Sequence, residues 1–128
     1  EEAEKAYKLM PFNAINLNNL AFALALNNTG LERALSLSEL AINTFQDTPL
    51  TGQLYGTLGF VQFQMKNYQD ALASFLYASQ NIRPKTEERR KAIVFDHFYI
   101  AQCLQALGKP EDGNEYMFLP DSVGYRGE

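Results

Sequence analysis

The sequence predicts an all-α fold made of antiparallel helix pairs, and three observations support this prediction. Apolar residues recur at three- and four-residue steps, which is the period of one face of a helix. Small residues, such as Gly59, Ala71 and Ala78, recur among large aromatic ones. Short polar segments, such as Lys66-Asn67, interrupt the apolar period and mark turns between helices.

Composition limits the classes of partner. A chain of 128 residues with 46% hydrophobic and 12% aromatic residues is long enough for one globular domain with a modest core. Its formal charge of −4 provides no broad positive surface, so we expect no nucleic-acid partner. The longest apolar run, around Leu20 to Leu26, is far shorter than the roughly 20 residues of a membrane span, so we expect no membrane insertion.

The clearest helix pair lies in residues 52–84. Two helices approach to about 8–10 Å only where small residues lie at the crossing and larger residues fill the grooves beside it. We expect Gly59 and Ala71 to let the helices touch and Phe75 to fill the space beside them. The first helix carries a large residue, Tyr55, followed by the pair Leu58-Gly59. The second helix carries Ala71, the aromatic Phe75 and Ala78, and Pro84 closes the stretch.

This pattern resembles the tetratricopeptide repeat, in which an aromatic residue, Leu-Gly, Ala, an aromatic residue and a closing Pro recur over about 34 residues. The stretch departs from the family at two positions, since Tyr55 stands where the family has Trp and Gln62 where it has Tyr. The resemblance implies a right-handed α-solenoid of about three helix pairs, each stacked on the next. It also implies a non-catalytic scaffold for protein–protein interaction.

Residues 1–13 are interpreted as the second helix of a preceding partial repeat. Ala6, Leu9 and Pro11 resemble the end of such a helix, and its first-helix partner is missing from the sequence. Since each repeat buries its apolar face against its neighbours, we expect the chain to be a fragment of a longer array. A native N-terminal capping helix is the alternative interpretation.

Residues 14–48 are a weaker copy of the same pattern. Leu20-Ala21 takes the position of the Leu-Gly pair, and Ala34 and Ala41 have the spacing of the two alanines on the second helix. Ser38 stands in place of the aromatic residue, and the turn is one residue longer.

Residues 86–119 are interpreted as a third repeat with an extended first helix. Thr86 is a favourable N-cap, so we expect the helix to begin early. Ile100-Ala101 lies 13 residues before Gly113, which is the spacing from the Leu-Gly pair to the first Ala in 52–84. The residues assigned to helix packing in all three copies are Leu20, Ala21, Ala34, Tyr55, Leu58, Gly59, Ala71, Phe75, Ala78, Ile100 and Ala101.

The second helix of this third repeat is expected to be short. Pro120 lies where the next small residue should be, and a proline inside a helix costs about 3 kcal/mol. We therefore interpret residues 120–128 as a tail. The apolar segment from Tyr116 to Pro120 can cap the last repeat, fold back into a groove or begin a further element.

No set of residues predicts an enzyme, a metal site or a cofactor. His97 and Cys103 are the only residues of their types, and six residues apart on one helix they would point to different faces. Zinc needs about four ligands, and near His97 only Asp96 qualifies, so we expect His97 to be a packing residue. The candidate carboxylate pairs are expected on turns and exposed faces, without an apolar pocket that would raise a pKa: Glu32, Glu39 and Asp47, or Glu111 and Asp112. Because Cys103 is single, the cysteine content leaves the location open between the cytoplasm and a bacterial periplasm or envelope.

In the tetratricopeptide family, the first helices of successive repeats line a concave groove that holds an extended peptide or a helix. This lining would be aromatic and nearly uncharged here, so we expect the partner to be an apolar or amphipathic segment of another protein. The sequence leaves open whether these rings line the groove or pack between adjacent repeats. The resemblance places in the groove Asn18, Phe22, Gln53, Phe60, Phe63, Gln64, Phe95, Phe98, Gln102 and Gln105, with Gly56 beside them and Tyr99 at the edge.

An alternative function comes from a different class. The chain would be a structural or self-association segment of a bacterial envelope or secretion assembly. The exposed helix from Glu1 to Leu9 would then pack on a copy of itself and form a homodimer.

Overall fold

The computed structural model describes residues 2–81 and 86–113, and within these ranges the chain is helical apart from short connections. The all-α prediction is confirmed. Residues 110–113 are also helical, after the turn that ends the last long helix. The helices are α1 (Glu2–Leu9), α2 (Ala14–Leu26), α3 (Leu31–Thr44), α4 (Thr51–Gln64), α5 (Tyr68–Gln80) and α6 (Glu87–Ala106).

Side-chain caps fix the start of two helices. The side chain of Asn13 accepts a hydrogen bond of 3.0 Å from the backbone N–H of Asn16 at the start of α2. The hydroxyl of Thr86 accepts one of 3.1 Å from the backbone N–H of Arg89 at the start of α6. A cap of this kind contributes about 1 kcal/mol to helix stability. The prediction that the long helix begins at Thr86 is confirmed.

Left-handed backbone conformations end three of the helices. Asn28 (φ 54°) follows α2, and Lys66 (φ 67°) lies in the Lys-Asn turn predicted between α4 and α5. Gly108 (φ 83°) follows α6, where the N–H of Lys109 donates a hydrogen bond of 2.7 Å to the carbonyl of Leu104. Glycine adopts this conformation without a steric penalty and therefore favours the end of a helix at that point.

Helix α4 occupies the centre of the packing. It contacts α2, α3, α5 and α6, and α5 also packs on α6. Eight of its side chains or glycines, from Gly52 to Val61, are buried. A helix that is buried on several sides needs apolar residues around most of its circumference, which explains why α4 has no clear polar face.

Small residues lie at the helix crossings. A Cβ atom at Gly59 would lie 3.0 Å from three ring atoms of Phe75 on α5. A Cβ atom at Gly113 would lie 3.1 Å from the carbonyl oxygen of Ala101 and 3.2 Å from its Cα. All the residues assigned to helix packing are buried except Tyr55, which is half-buried.

Helix α1 is attached at the edge of the structure. It buries none of its residues and contacts α2. Glu4 forms an ion pair of 2.6 Å with Arg33 of α3, and the guanidinium of Arg33 lies 5.7 Å from the ring centroid of Tyr7. Because this ion pair is exposed to solvent, it contributes little to stability, and α1 is held weakly compared with α4.

Three predicted features lie outside the described residues. They are Pro84, which closes the 52–84 repeat, the second helix of the third repeat beyond residue 113, and the tail 120–128 with Pro120.

The contact between Gly59 and Phe75 leads to a stability prediction. We expect Gly59→Ala to lower the free energy of unfolding by about 1–3 kcal/mol, because the added methyl group would displace a fully buried ring. This loss should outweigh the gain of up to about 1 kcal/mol from the higher helix propensity of alanine. Urea denaturation followed by circular dichroism measures the difference.

The matched control is the same substitution in a Phe75→Leu background. Without the ring, the cost of the added methyl group should shrink. A Gly59→Ala protein as stable as the wild type would contradict the close approach of α4 and α5.

Candidate functional site

An aromatic cluster joins four helices. Phe60 of α4 lies at its centre, with ring centroids 5.1 Å from Phe22 of α2 and 5.7 Å from Phe95 of α6. Tyr99 of α6 stacks on Phe75 of α5 at 5.6 Å and with an interplanar angle of 16°. Each such pair contributes about 0.5–1.5 kcal/mol beyond the burial of area. We call this set the aromatic cluster: Phe22, Phe60, Phe63, Phe75, Phe95 and Tyr99.

Three of the residues expected in the groove are instead used in internal packing. Phe60 is only 3% exposed and belongs to the core. Phe63 is half-buried, with its ring 4.9 Å from that of Tyr99. The side-chain amide of Gln64 donates a hydrogen bond of 2.7 Å to the backbone carbonyl of Ala25 on α2. The groove assignment is therefore corrected for these three, because the close spacing of α2, α4 and α6 places them between helices.

A cavity of about 280 Å³ lies between α2, α4 and α6. Four of the residues that the sequence places in the groove line it: Asn18, Phe22, Gln53 and Phe95. Gly52, Gly56 and Thr57 of α4 complete its floor. The cavity therefore begins where the aromatic cluster ends, since Phe22 and Phe95 belong to both.

The remaining groove residues lie away from this cavity. Phe98 is 45% exposed, and its ring meets that of Tyr99 edge-on at 5.1 Å. Gln102 is half-buried and Gln105 is exposed, further along α6. None of these three lines the cavity.

The cavity is more charged than the sequence led us to expect. Glu88, Lys91 and Asp96 of α6 line it together with Ala92 and Phe95. Steps of three and four residues, from 88 to 91 and 95 and from 88 to 92 and 96, put these five residues on one stripe of the helix. The expectation of a nearly uncharged lining is therefore wrong, because the extended first half of α6 also faces this space.

Asp96 has the most unusual environment of these three charged residues. It is 2% exposed, and its Oδ2 has no hydrogen-bond partner among the described residues. A Cβ atom at Gly56 would lie 3.1 Å from its Oδ1, so the glycine leaves room for the carboxyl group. Burial raises the pKa of Asp96 to about 8. At neutral pH this side chain is therefore mainly protonated, although a cation placed beside it would favour the ionised form.

The sequence contained a signal for this residue that the analysis by motif missed. Asp96 follows Ile93 by three positions and precedes Ile100 by four, which places it on the apolar stripe of α6. Both isoleucines are buried. The expectation about carboxyl pKa values concerned other acidic residues and did not include Asp96, whose pKa burial raises.

His97 and Cys103 are packing residues of α6. Both are buried, and burial lowers the pKa of His97 and raises that of Cys103 to about 11. The thiol therefore stays protonated at neutral pH and is a poor nucleophile. Within residues 2–81 and 86–113, no cluster of three or more His, Cys, Asp or Glu side chains could hold a metal ion.

Comparison with models of protein families, with curated proteins and with solved structures finds no match to this chain. None of the helices in the described ranges combines the length and the apolar character that crossing a membrane requires. The functional assignment therefore depends on the residues and geometry given above.

The environment of Asp96 leads to a pH prediction. Its pKa is about 8 in the folded protein against an ordinary value of 3.8, so between these values the folded chain holds more protons than the unfolded chain. Its contribution to stability is fully present below the lower value and is lost as the pH rises to about 8. Asp96→Asn lacks this dependence. We expect the stability of this variant, relative to wild type, to increase with pH at up to about 1.4 kcal/mol per pH unit.

Urea denaturation at several pH values between about 5 and 8 measures this difference. Glu39→Gln on the exposed face of α3 is the control, for which we expect a nearly constant difference from wild type. A difference between Asp96→Asn and wild type that does not change with pH would refute the perturbed carboxyl group.

Proposed function

We propose that this chain is a tetratricopeptide-like, right-handed α-solenoid that serves as a non-catalytic scaffold for protein–protein interaction. Its groove runs along α2, α4 and α6 and holds a segment of a partner protein. The observation that carries the proposal is the cavity between these three alternate helices, lined by Asn18, Phe22, Gln53 and Phe95.

The pattern of helix contacts supports a curved stack. Consecutive helices contact one another from α1 to α6, as expected for antiparallel pairs. Among alternate helices, α2 contacts α4 and α4 contacts α6, whereas α3 and α5 make no contact. A stack that curves toward α2, α4 and α6 has this asymmetry, because helices on the inner side lie closer together. The inner side is then the concave surface that repeat arrays use for binding.

The composition of the cavity wall supports a peptide as the occupant. Phe22 and Phe95 offer apolar contact, while the amides of Asn18 and Gln53 can donate hydrogen bonds to a peptide carbonyl and accept from its N–H groups. A site with an apolar wall and a few fixed polar groups suits an amphipathic segment better than a wholly apolar one. The partner is therefore an amphipathic peptide or helix.

The environment of the potential nucleophiles supports a non-catalytic role. Burial keeps His97 neutral and the thiol of Cys103 protonated at neutral pH. Asp96 has no partner side chain at Oδ2 in the described structure that could act with it as an acid–base pair.

Self-association is a second candidate function, favoured by an exposed apolar corner between α1 and α2. Leu9 is 82% exposed, Met10 59%, Phe12 73% and Ile15 55%. Exposed apolar residues that lie together often mark a protein interface. The candidate dimer contact is centred on Leu9 to Ile15, slightly further along the chain than the helix from Glu1 to Leu9.

The groove proposal predicts the effect of filling the cavity. Peptides selected from a display library on the wild-type protein should bind Gln53→Trp about tenfold more weakly or worse, because the indole would occupy the space between α2, α4 and α6. Gln69→Trp is the matched control, since Gln69 is an exposed glutamine on α5 away from the cavity. We expect it to bind these peptides as wild type does. Fluorescence anisotropy measures the affinities.

The groove proposal would be contradicted if the peptides bound Gln53→Trp and Gln69→Trp with equal affinity. It would also be contradicted if the library yielded no peptide that binds wild type. Sedimentation of wild type, Gln53→Trp and Phe12→Glu tests the second candidate function, self-association. A dimer that Phe12→Glu dissociates and Gln53→Trp leaves intact would support self-association through the apolar corner instead.

A further inference from the structure

The cavity between α2, α4 and α6 contains an incomplete polar site. Asp96 lines it and is 2% exposed, and its carboxyl oxygen Oδ2, which is shielded from solvent, has no hydrogen-bond partner in the described structure. A buried polar group of this kind is costly, and native structures leave few of them unpaired. A ligand group that donates hydrogen bonds at this position would remove the cost.

Gly56 leaves room for the carboxyl group of Asp96 beside the cavity, since any side chain at this position would have its Cβ 3.1 Å from Oδ1. The cavity volume of about 280 Å³ is at or below the lower end of the range of drug-sized ligand sites, about 300–1,000 Å³. It is therefore large enough for one long side chain rather than for a whole small-molecule ligand.

We propose that the cavity receives an arginine side chain of the partner protein, with the guanidinium group paired to the carboxylate of Asp96. This inference rests on the proposed groove and identifies the anchor of the peptide within it. The aliphatic part of the arginine lies along Phe22 and Phe95, and the side-chain oxygens of Asn18 and Gln53 are within the same cavity to accept its further N–H groups.

Three features favour arginine over other donors. A guanidinium group presents donors in a plane that matches a carboxylate, whereas a lysine ammonium is a compact and strongly hydrated charge. A guanidinium also stacks on aromatic rings, and Phe22 and Phe95 form one wall here. A backbone N–H would satisfy Asp96 with one bond only and would leave the charged form of the carboxyl group uncompensated.

The charges around Asp96 do not oppose this pairing. On α6, Glu88 and Lys91 also line the cavity, and their opposite charges largely offset each other. The lining residues from α2 and α4 are not ionisable. The Cβ of Ala78 on α5 lies 4.0 Å from the position that a Cβ at Gly56 would take. An arriving cation therefore meets a net negative charge in the cavity only where Asp96 loses its proton.

The test uses methylguanidinium as a probe that requires no knowledge of the partner. Titration of ¹⁵N-labelled protein should give saturable shifts of the amide signals of Gly56 and Asp96. Asp96→Asn has the same shape but cannot ionise, so we expect its affinity for the probe to fall about tenfold or more. Glu39→Gln, an exposed acidic position on α3, is the control and should behave as wild type.

The pH dependence gives an independent readout. Methylguanidinium stays charged, while the pKa of Asp96 is raised to about 8, so binding requires loss of a proton from Asp96. The affinity of wild type should rise about tenfold per pH unit below this value and level off above it. Asp96→Asn should show no such rise. Shifts that do not saturate in wild type, or that are equal in Asp96→Asn, would overturn the inference.

Selected peptides separate this inference from the proposed function. Peptides that bind wild type should contain arginine, and its replacement by the uncharged analogue citrulline should weaken binding about tenfold to wild type and little to Asp96→Asn. Groove-binding peptides without a required arginine would overturn the arginine anchor and leave the scaffold function standing. If no peptide binds, the scaffold function fails, and the methylguanidinium titration alone decides whether the cation site exists.

Discussion

The packing of rings between α2, α4, α5 and α6 is the interaction on which the rest of the structure depends. Phe60 lies at its centre and is almost fully buried, in contact with rings from α2 and α6. Gly59, the preceding residue, lets α5 approach so closely that Phe75 can stack on Tyr99 of α6. The same short stretch of α4 therefore fixes the positions of its neighbours on two sides.

The candidate site is a consequence of this arrangement. The aromatic cluster ends at Phe22 and Phe95, and beyond these rings α4 has Gly52 and Gly56 in place of large side chains. Helix α4 thus contacts both α2 and α6 while a cavity opens between the three helices. Asp96 lines this cavity, burial raises its pKa, and its Oδ2 has no hydrogen-bond partner in the described structure. Packing and binding chemistry are therefore adjacent in space, and a substitution in the cluster is expected to alter both.

The sequence predicted the helices and their turns well, because these depend on local chemistry. Thr86 caps α6, as its residue type indicates, and the polar Lys66-Asn67 segment separates α4 from α5 as its break in the apolar period predicts. The groove was predicted less well, since Phe60 and Phe98 have the same residue type but very different exposure, 3% and 45%. This difference depends on how far apart neighbouring helices lie, and helical period alone does not contain that distance. Asp96 required the same tertiary information, although its place on an apolar stripe was visible.

The most direct test compares Phe60→Ala with Phe98→Ala by urea denaturation. If the aromatic cluster holds α2, α4 and α6 together, loss of the Phe60 ring should lower the free energy of unfolding by about 3–5 kcal/mol. Loss of the half-exposed Phe98 ring should lower the free energy of unfolding by less than about 1.5 kcal/mol, because this ring makes an edge contact with Tyr99 and is only partly buried. Similar small losses for the two variants would contradict the account, because Phe60 would then be a surface residue of the groove.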